Sequence, residues 1–175
     1  MTKAIFLDRD GVINQERKDY VKKLDEFRIL DKTSDAINII KNRGFLVIII
    51  TNQSAISRKL LSVETLNKIH EKLQSYLEKY GTSFDGVYFC PHIPSENCEC
   101  RKPKPGMFIE AKDKYNISMK DSWMIGDSES DIKAANAAGI SKTILVRSGH
   151  RVDESNSNPK FTIDSIKQSK EVIKI

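Results

Sequence analysis

The sequence predicts an α/β fold in which a single parallel sheet is covered by helices on both faces. Short apolar segments alternate with amphipathic helical segments along the chain, which is typical of strand–helix–strand units. The length of 175 residues and a hydrophobic share of 39% suit one domain with a sizeable core. We therefore expect one domain over residues 1–175, with right-handed crossovers between the strands.

Each strand is predicted from a short run of branched apolar residues. The five runs occupy residues 3–7, 45–50, 87–89, 123–125 and 143–146. Strands of this kind are buried on both faces, as a parallel sheet requires. No run approaches the ~20 apolar residues of a membrane-spanning helix, so we expect no membrane partner.

Four helices are predicted between and after these strands. They lie between a cap at Thr33 or Ser34 and Gly44, between Ser62 and Gly81, from 105 to about 115, and from 132 to 138. In the second helix, Leu66, Ile69, Leu73 and Leu77 recur on one apolar face. His70 has no other candidate site residue near it in sequence, so we expect it on the surface of this helix.

The charge balance limits the classes of binding partner. Lys and Arg exceed Asp and Glu by 29 to 24, a net charge of +5 that can favour nucleic acid or an acidic substrate. The basic residues are scattered apart from residues 101–104 and a lysine-rich tail at 167–174, and no basic run is interleaved with aromatic residues. We therefore expect no nucleic-acid partner. The chain starts without a signal-peptide pattern, which favours a cytoplasmic location.

The first candidate site follows the first predicted strand. Asp8 and Asp10 are separated by one residue, and Gly11 allows the chain to turn away. Ligands bind beyond the carboxyl ends of strands in open parallel sheets, so both carboxylates can point into one pocket. Alternatively, Asp and Gly only satisfy the geometry of a turn here.

Two further candidate motifs end the second strand and precede the third helix. Thr51 and Asn52 offer a hydroxyl and backbone N–H groups that can hold phosphate oxygens, although such residues equally cap helices. Arg101 and Lys102, next to two prolines, can stabilise charge on a transferring phosphoryl group. The alternative for this segment is a solvated basic loop.

The fourth motif places Asp127 and Asp131 after the fourth strand. Their carboxylates are hard oxygen ligands that suit Mg²⁺. Alternatively, their negative charges interact favourably with the helix dipole at the start of a helix. Each motif alone fits a structural role, but the four in this order, each near the end of a strand, indicate a metal-dependent phosphate site.

These motifs give the chain a resemblance to a known family. It resembles the haloacid dehalogenase (HAD) superfamily of phosphohydrolases, and within it the branch of histidinol-phosphate phosphatases and heptose 1,7-bisphosphate phosphatases. The segments that carry the resemblance are Asp8-Arg9-Asp10-Gly11-Val12-Ile13-Asn14, Thr51-Asn52-Gln53-Ser54, Cys100-Arg101-Lys102-Pro103 and Leu145-Val146-Arg147-Ser148-Gly149. The resemblance implies a three-layer, Rossmann-like, HAD-like domain. No segment between the strands is long enough for a separate cap domain.

The resemblance also implies the chemistry of the site. Asp8 would be the nucleophile that forms an aspartyl-phosphate. Asp10 would act first as general acid and then as general base, which requires a raised effective pKa once substrate is bound. Mg²⁺ would be held by Asp8, by the backbone carbonyl of Asp10 and by Asp127, with Asp131 in support.

The same resemblance implies phosphate-binding roles for four residues. Thr51 and the backbone N–H of Asn52 would bind the phosphate oxygens, while Lys102 and Arg101 would balance their charge. A carboxylate that attacks a phosphate dianion faces repulsion, and a metal ion with a lysine cancels it.

All three cysteines lie within a segment of eleven residues, beside a histidine. Cys90 and His92, followed by Cys98 and Cys100, offer the four ligands of a closed tetrahedral Cys₃His zinc site in an inserted loop at 90–100. Buried free thiols beside an unrelated histidine are the alternative. The Cys-x-His…Cys-x-Cys loop also occurs in the heptose bisphosphate phosphatase branch, which favours a structural zinc ion that fixes the following Arg101 and Lys102.

We expect a small phosphorylated metabolite as the substrate. The resemblance favours a heptose 1,7-bisphosphate hydrolysed at C7, in the synthesis of nucleotide-activated heptose for lipopolysaccharide, with histidinol phosphate or another small metabolite as the alternative. Ser54, Arg58 and Arg147 are candidate substrate contacts, and the two arginines could bind a second phosphate. A small capless domain is compatible with a monomer. A non-catalytic zinc module would have no use for the carboxylates, and a nucleic-acid 3′-phosphatase would lack a basic platform.

Overall fold

A six-stranded sheet forms the centre of the molecule. The computed structural model describes residues 1–150 and 154–173. All strand pairs in the sheet are parallel, in the order β3-β2-β1-β4-β5-β6. The strands are β1 (Ala4–Leu7), β2 (Leu46–Asn52), β3 (Gly86–Cys90), β4 (Trp123–Gly126), β5 (Lys142–Val146) and β6 (Phe161–Ile163). The predicted parallel α/β fold is confirmed, and β6 adds a strand that the sequence pattern did not indicate.

The helices follow the strands as predicted, with differences at their ends. They are α1 (Thr33–Asn42), α2 (Val63–Lys79), α3 (Gly106–Tyr115), α4 (Glu129–Ala137), α5 (Glu154–Ser157) and α6 (Ser169–Val172). Ser62 caps α2 as predicted, since its hydroxyl accepts from the N–H of Thr65 at 3.0 Å. The predicted cap of α1 is wrong, because Lys32 is the N-cap residue and the Thr33 hydroxyl donates to the carbonyl of Leu30. Helix α6 lies in the lysine-rich tail, and Lys174 lies outside the described residues.

Side-chain alternation along the strands divides the core into two layers. Ile5 and Leu7 of β1 belong to the layer that contains Ile37 of α1 and Leu73 of α2. Phe6 points to the opposite face, where it packs 4.9 Å from Phe108 of α3 between ring centroids. Helices therefore cover both faces of the sheet, as expected for a three-layer domain.

The parallel arrangement places the carboxyl ends of all strands at one edge of the sheet. The two longest connections, residues 8–32 after β1 and residues 91–105 after β3, both begin at this edge. Functional sites of open parallel sheets form at such edges. Within the described residues, none of the helices has the length and apolar character needed to cross a bilayer.

Candidate active site

A cavity of about 910 Å³ opens at the carboxyl edge of the sheet. Eight of the residues predicted from sequence line it: Asp8, Asp10, Thr51, Asn52, Ser54, Arg101, Lys102 and Asp127. They come from the end of β2, from the segments after β1, β2 and β4, and from the loop before α3. The structure thus brings the four sequence motifs together in one site.

Three buried carboxylates lie side by side in this site. Asp8, Asp127 and Asp131 each offer an oxygen atom within 4.8 Å of the other two. Lys102 is also buried, and its Nζ lies 2.9 Å from Oδ1 of Asp8 and 2.5 Å from Oδ1 of Asp131. The same ammonium donates to the carbonyl of Ile50 at 2.9 Å. One lysine therefore faces several negative charges.

The charge imbalance shifts the protonation of these groups. Burial raises the pKa of the Asp8 carboxyl well above its usual range, and the neighbouring charges of Asp131 and Asp127 add to the rise against the opposing effect of Lys102. Burial opposes the charged form of Lys102, but Asp131 and Asp8 raise its pKa nevertheless. The donor set, three hard carboxylates with a surplus of negative charge, fits a divalent cation such as Mg²⁺.

The turn after β4 is held by Asp131 and by two glycines. Oδ2 of Asp131 accepts from the N–H groups of Asp127 at 3.1 Å and Ser128 at 3.0 Å. A Cβ atom on Gly11, whose φ is +84°, would lie 2.2 Å from Oδ2 of Asp127, and one on Gly149 would lie 1.9 Å from it. Both positions require glycine because the chain approaches the Asp127 carboxylate so closely.

Asp10 is held by three side chains. Nη2 of Arg9 donates to both carboxylate oxygens at 2.9 Å, Asn14 donates to Oδ1 at 2.9 Å, and Gln53 donates to Oδ2 at 2.8 Å. Burial would raise the pKa of Asp10, but the charge of Arg9 and these hydrogen bonds outweigh it and hold the pKa below its usual value. The substrate-free protein therefore keeps Asp10 ionised. The raised pKa expected of a general acid concerns the substrate complex.

The phosphate-binding candidates are connected to the same network. Gln53 Nε2 donates to the hydroxyl of Thr51 at 2.9 Å, so one carboxamide contacts both Thr51 and Asp10. The side chain of Asn52 accepts from the N–H of Lys102 at 3.1 Å and donates to its carbonyl at 3.2 Å. The end of β2 therefore fixes the backbone of the basic loop.

The cysteine and histidine ligands also converge. Sγ of Cys90 lies 3.5 Å from Nδ1 of His92 and 3.5 Å from Sγ of Cys98, while Sγ of Cys100 lies 3.3 Å from the His92 nitrogen and 3.5 Å from the Cys98 sulfur. Thiolates on one tetrahedral zinc ion lie about 3.8 Å apart, given a Zn–S bond of about 2.3 Å. The donor set fits zinc. Arg101 donates to the carbonyl of His92 at 3.0 Å, which connects this cluster to the cavity.

Two predicted substrate contacts lie elsewhere. Arg58 is exposed, and neither it nor Arg147 lines the cavity. Nη1 of Arg147 forms an ion pair with Asp164 at 3.3 Å, because its side chain extends toward the loop after β6. The cavity is instead lined by Arg17 and Lys18, from the connection between β1 and α1. The sequence offered no signal for these two residues beyond their charge.

Two histidines outside the sequence motifs, His150 and His70, both have partners. His150 lines the cavity, where its Nδ1 and N–H lie 2.7 and 2.9 Å from Oδ2 of Asp127 and its Nε2 lies 3.1 Å from Glu16. The hydrogen bond with Asp127 raises the pKa of His150 to about 9. The surface position predicted for His70 is wrong. It is only 5% exposed, and its position four residues after Leu66 put it on the apolar face of α2.

Comparison with known proteins places this arrangement in a family. Proteins named D-glycero-beta-D-manno-heptose-1,7-bisphosphate 7-phosphatase are similar to this chain over most of its length. The protein from Neisseria meningitidis serogroup A is 42% identical over 84% of this chain and 78% of its own length. The protein from Yersinia pestis is 40% identical over 98% of this chain and 95% of its own. The chain belongs to the D-glycero-β-D-manno-heptose-1,7-bisphosphate 7-phosphatase family.

Solved structures and a family model agree with this assignment. The crystal structure of D,D-heptose 1,7-bisphosphate phosphatase from B. bronchiseptica, complexed with magnesium and phosphate, superposes with a TM-score of 0.88 at 33% identity, covering 98% of this chain and 97% of that one. The corresponding phosphatase from Burkholderia thailandensis gives a TM-score of 0.71 at 25% identity, with 98% and 97% covered. The HAD-hydrolase-like family model matches residues 99–169. The predicted HAD resemblance is confirmed.

Proposed function

We propose that this protein is a magnesium-dependent phosphatase that removes the 7-phosphate of D-glycero-D-manno-heptose 1,7-bisphosphate through an aspartyl-phosphate on Asp8. The observation that carries the proposal is the position of Asp8, which lines the cavity with Asp10 and lies beside Lys102 and Asp127. The names of the relatives support the choice of substrate.

Asp8, Asp127 and the backbone carbonyl of Asp10 would hold the magnesium ion, with Asp131 in support. When bound, Mg²⁺ supplies positive charge that offsets the phosphoryl oxygens and helps to align the displacement. Negative charge exceeds positive charge around Asp8, which supports a cation site here. The magnesium in the B. bronchiseptica phosphatase structure supports it as well.

In the first step, a carboxylate oxygen of Asp8 attacks phosphorus, and the bond between phosphorus and the C7 oxygen of the sugar breaks. Asp10 donates a proton to that oxygen as it leaves. The hydroxyl of Thr51 and the N–H of Asn52 bind phosphoryl oxygens, and Lys102 offsets their charge. The phosphoryl group is then carried on Asp8.

In the second step, Asp10 acts as a base. Its carboxylate accepts a proton from a water molecule whose oxygen attacks phosphorus, and the bond between phosphorus and Asp8 breaks. Inorganic phosphate leaves, and Asp8 returns to a carboxylate. The hydrogen bonds from Asn14 and Gln53 hold Asp10 at the position that both proton transfers need.

The distal phosphate of the substrate would contact the basic residues that line the cavity, Arg17, Lys18 and Arg101. These residues take over the role expected of Arg58 and Arg147, which lie outside the cavity. A second charged group supplies binding energy far from the reacting atom, so a bisphosphate should react with higher kcat/KM than a monophosphate. Every residue named in this mechanism belongs to one chain, which supports action as a monomer.

A structural zinc ion on Cys90, His92, Cys98 and Cys100 completes the proposal. The donor distances and the hydrogen bond from Arg101 to His92 support it, because a closed site there would fix the loop that carries Arg101 and Lys102. Three thiols persist unoxidised in a reducing compartment, which supports the cytoplasm as the location.

A comparison of substrates tests the proposal. Phosphate release with Mg²⁺ present should show the highest kcat/KM for the 1,7-bisphosphate, and heptose 1-phosphate should be the product. Both anomers of the bisphosphate and histidinol phosphate should be assayed side by side. A higher kcat/KM for histidinol phosphate than for either anomer would overturn the assignment.

A further inference from the structure

A buried pair of basic residues lies behind Asp10. The Arg9 side chain is 0% exposed although it stands between two residues that line the cavity, and its guanidinium carbon lies 5.6 Å from the centre of the Phe27 ring. His70 of α2 is buried beside it, with Nε2 3.4 Å from Nη1 of Arg9. The mechanism described above uses neither residue directly.

The contact between these residues has only one chemically allowed direction. An arginine N–H can donate but not accept, so Nε2 of His70 must be the acceptor and its ring proton must lie on Nδ1. Burial, together with the charge of Arg9, lowers the pKa of His70 to about 3, which keeps the ring neutral and able to accept. His70 therefore serves Arg9 as a hydrogen-bond acceptor.

The other end of the guanidinium orients Asp10. Nη2 of Arg9 donates to both carboxylate oxygens at 2.9 Å, whereas Asn14 and Gln53 each reach only one of them. A rotation of the guanidinium would therefore turn the Asp10 carboxylate out of position. The hydrogen bond from Nη1 to His70 opposes such a rotation, since it fixes the second arm of the same planar group.

We infer that His70 is a positioning residue for phosphoryl transfer, which holds Arg9 in the orientation that aligns Asp10 for proton transfer. This inference rests on the proposed function, because Asp10 acts there as acid and base. Its effect belongs to the chemical steps and not to substrate binding. Loss of the acceptor at position 70 should therefore lower kcat and leave KM nearly unchanged.

Three variants separate this role from packing in the core. His70→Leu removes the acceptor at similar volume, and His70→Gln keeps an acceptor in its side-chain oxygen. Ile69→Val perturbs the neighbouring core of α2 and leaves every hydrogen-bonding group around Arg9 in place. We expect kcat on the heptose bisphosphate to fall about tenfold in His70→Leu, part of the roughly 10²–10⁴ that general acid–base catalysis contributes. His70→Gln should recover most of the loss, and Ile69→Val should match the wild type.

Nitrophenyl phosphate supplies a readout that damaged packing would not give. Its leaving group needs no proton, so the first step stays fast in His70→Leu, while hydrolysis of the aspartyl-phosphate still needs Asp10 as base. Rapid-mixing kinetics should then show a burst of nitrophenol, close to one per active site, that is larger in His70→Leu than in His70→Gln.

An unchanged kcat in His70→Leu, or equal losses of kcat in both His70 variants without a burst, would overturn the inference. A wild type that hydrolyses only nitrophenyl phosphate would contradict the proposed substrate, and the burst experiment would still decide the role of His70.

Discussion

Individual side chains of the site are each held by several partners. Lys102 contacts Asp8, Asp131 and the carbonyl of Ile50, while its backbone is bonded on both sides by Asn52. Such a buried network is costly to break, because the loss of one partner leaves other charges uncompensated. The precision of the chemistry therefore depends on residues that do not react.

The residue scale yields a prediction for the distal phosphate. Lys18→Ala should lower kcat/KM for the 1,7-bisphosphate about tenfold, close to 1.4 kcal/mol, because a charged contact to phosphate is lost. The value for heptose 7-phosphate should stay within twofold of the wild type. Lys23→Ala is the matched control, since Lys23 is exposed on the same connection but does not line the cavity. An equal loss on both substrates would contradict the role of Lys18.

His70 also makes the stability of the protein depend on pH. Its pKa is about 3 in the folded protein and about 6.5 in the unfolded chain, so only the unfolded chain gains a proton as the pH falls below 6.5. The stability linked to His70 is therefore fully present above pH 6.5 and is lost toward pH 3, by up to about 2 kcal/mol at pH 5. Among the described residues, the charged group that contacts the His70 ring is the guanidinium of Arg9, and the Asp10 carboxylate lies beyond it.

Urea unfolding at pH 7 and pH 5 measures this effect. The wild type should lose more free energy of unfolding between the two values than His70→Gln, which lacks the titrating ring. An equal loss of free energy of unfolding between pH 7 and pH 5 in the two proteins would show that His70 does not titrate as described.

At the scale of elements, two long connections at the carboxyl edge of the sheet supply much of the site. The segment after β1 supplies Asp8 and Asp10, together with Arg17 and Lys18, which line the cavity. The segment from the end of β3 to α3 carries the cysteine cluster and then Lys102, and the hydrogen bond from Arg101 to His92 connects its two halves. The position of Lys102 should therefore depend on the proposed zinc ion.

Cys98→Ser tests that dependence. Loss of one ligand should reduce the zinc content measured by elemental analysis and destabilise the protein by about 2 kcal/mol, which lowers the Tm by roughly 4–8 °C in a chain of this size. The kcat should fall as well, because Lys102 is displaced. Ser95→Ala, an exposed change in the same loop, should alter none of these values. Active, reduced wild-type protein that holds no zinc would contradict the metal site.

The sequence predicts the secondary-structure elements and the carboxylates at the strand ends better than the side chains that surround them. The strand ends and their carboxylates were recognisable because apolar runs and hard oxygen ligands have strong local signatures. The partners of Asp10 were not, although Asn14 and Gln53 stand inside the motifs, because side-chain direction depends on packing between distant segments. The surface position predicted for His70 was wrong even though its helical spacing from Leu66 indicated the apolar face. Arg58 and Arg147 were also predicted from charge, but they do not line the cavity, since charge alone does not place a side chain.

At the scale of the whole molecule, the parallel sheet explains how residues far apart in sequence form one site. Strand β1 lies at the centre, with β2 on one side and β4 on the other. The residues that follow these three strands must therefore meet at the carboxyl edge. The central claim is that Asp8, at the end of this middle strand, carries the phosphoryl group.

Phosphate release by Asp8→Asn tests that claim most directly. The substitution keeps the size of the side chain and removes the nucleophile, while folding should survive because it relieves repulsion between buried carboxylates, with a Tm at or above that of the wild type. We expect the kcat on the heptose bisphosphate to fall by at least about 10³-fold. A folded Asp8→Asn protein that releases phosphate within tenfold of the wild-type rate would contradict the account.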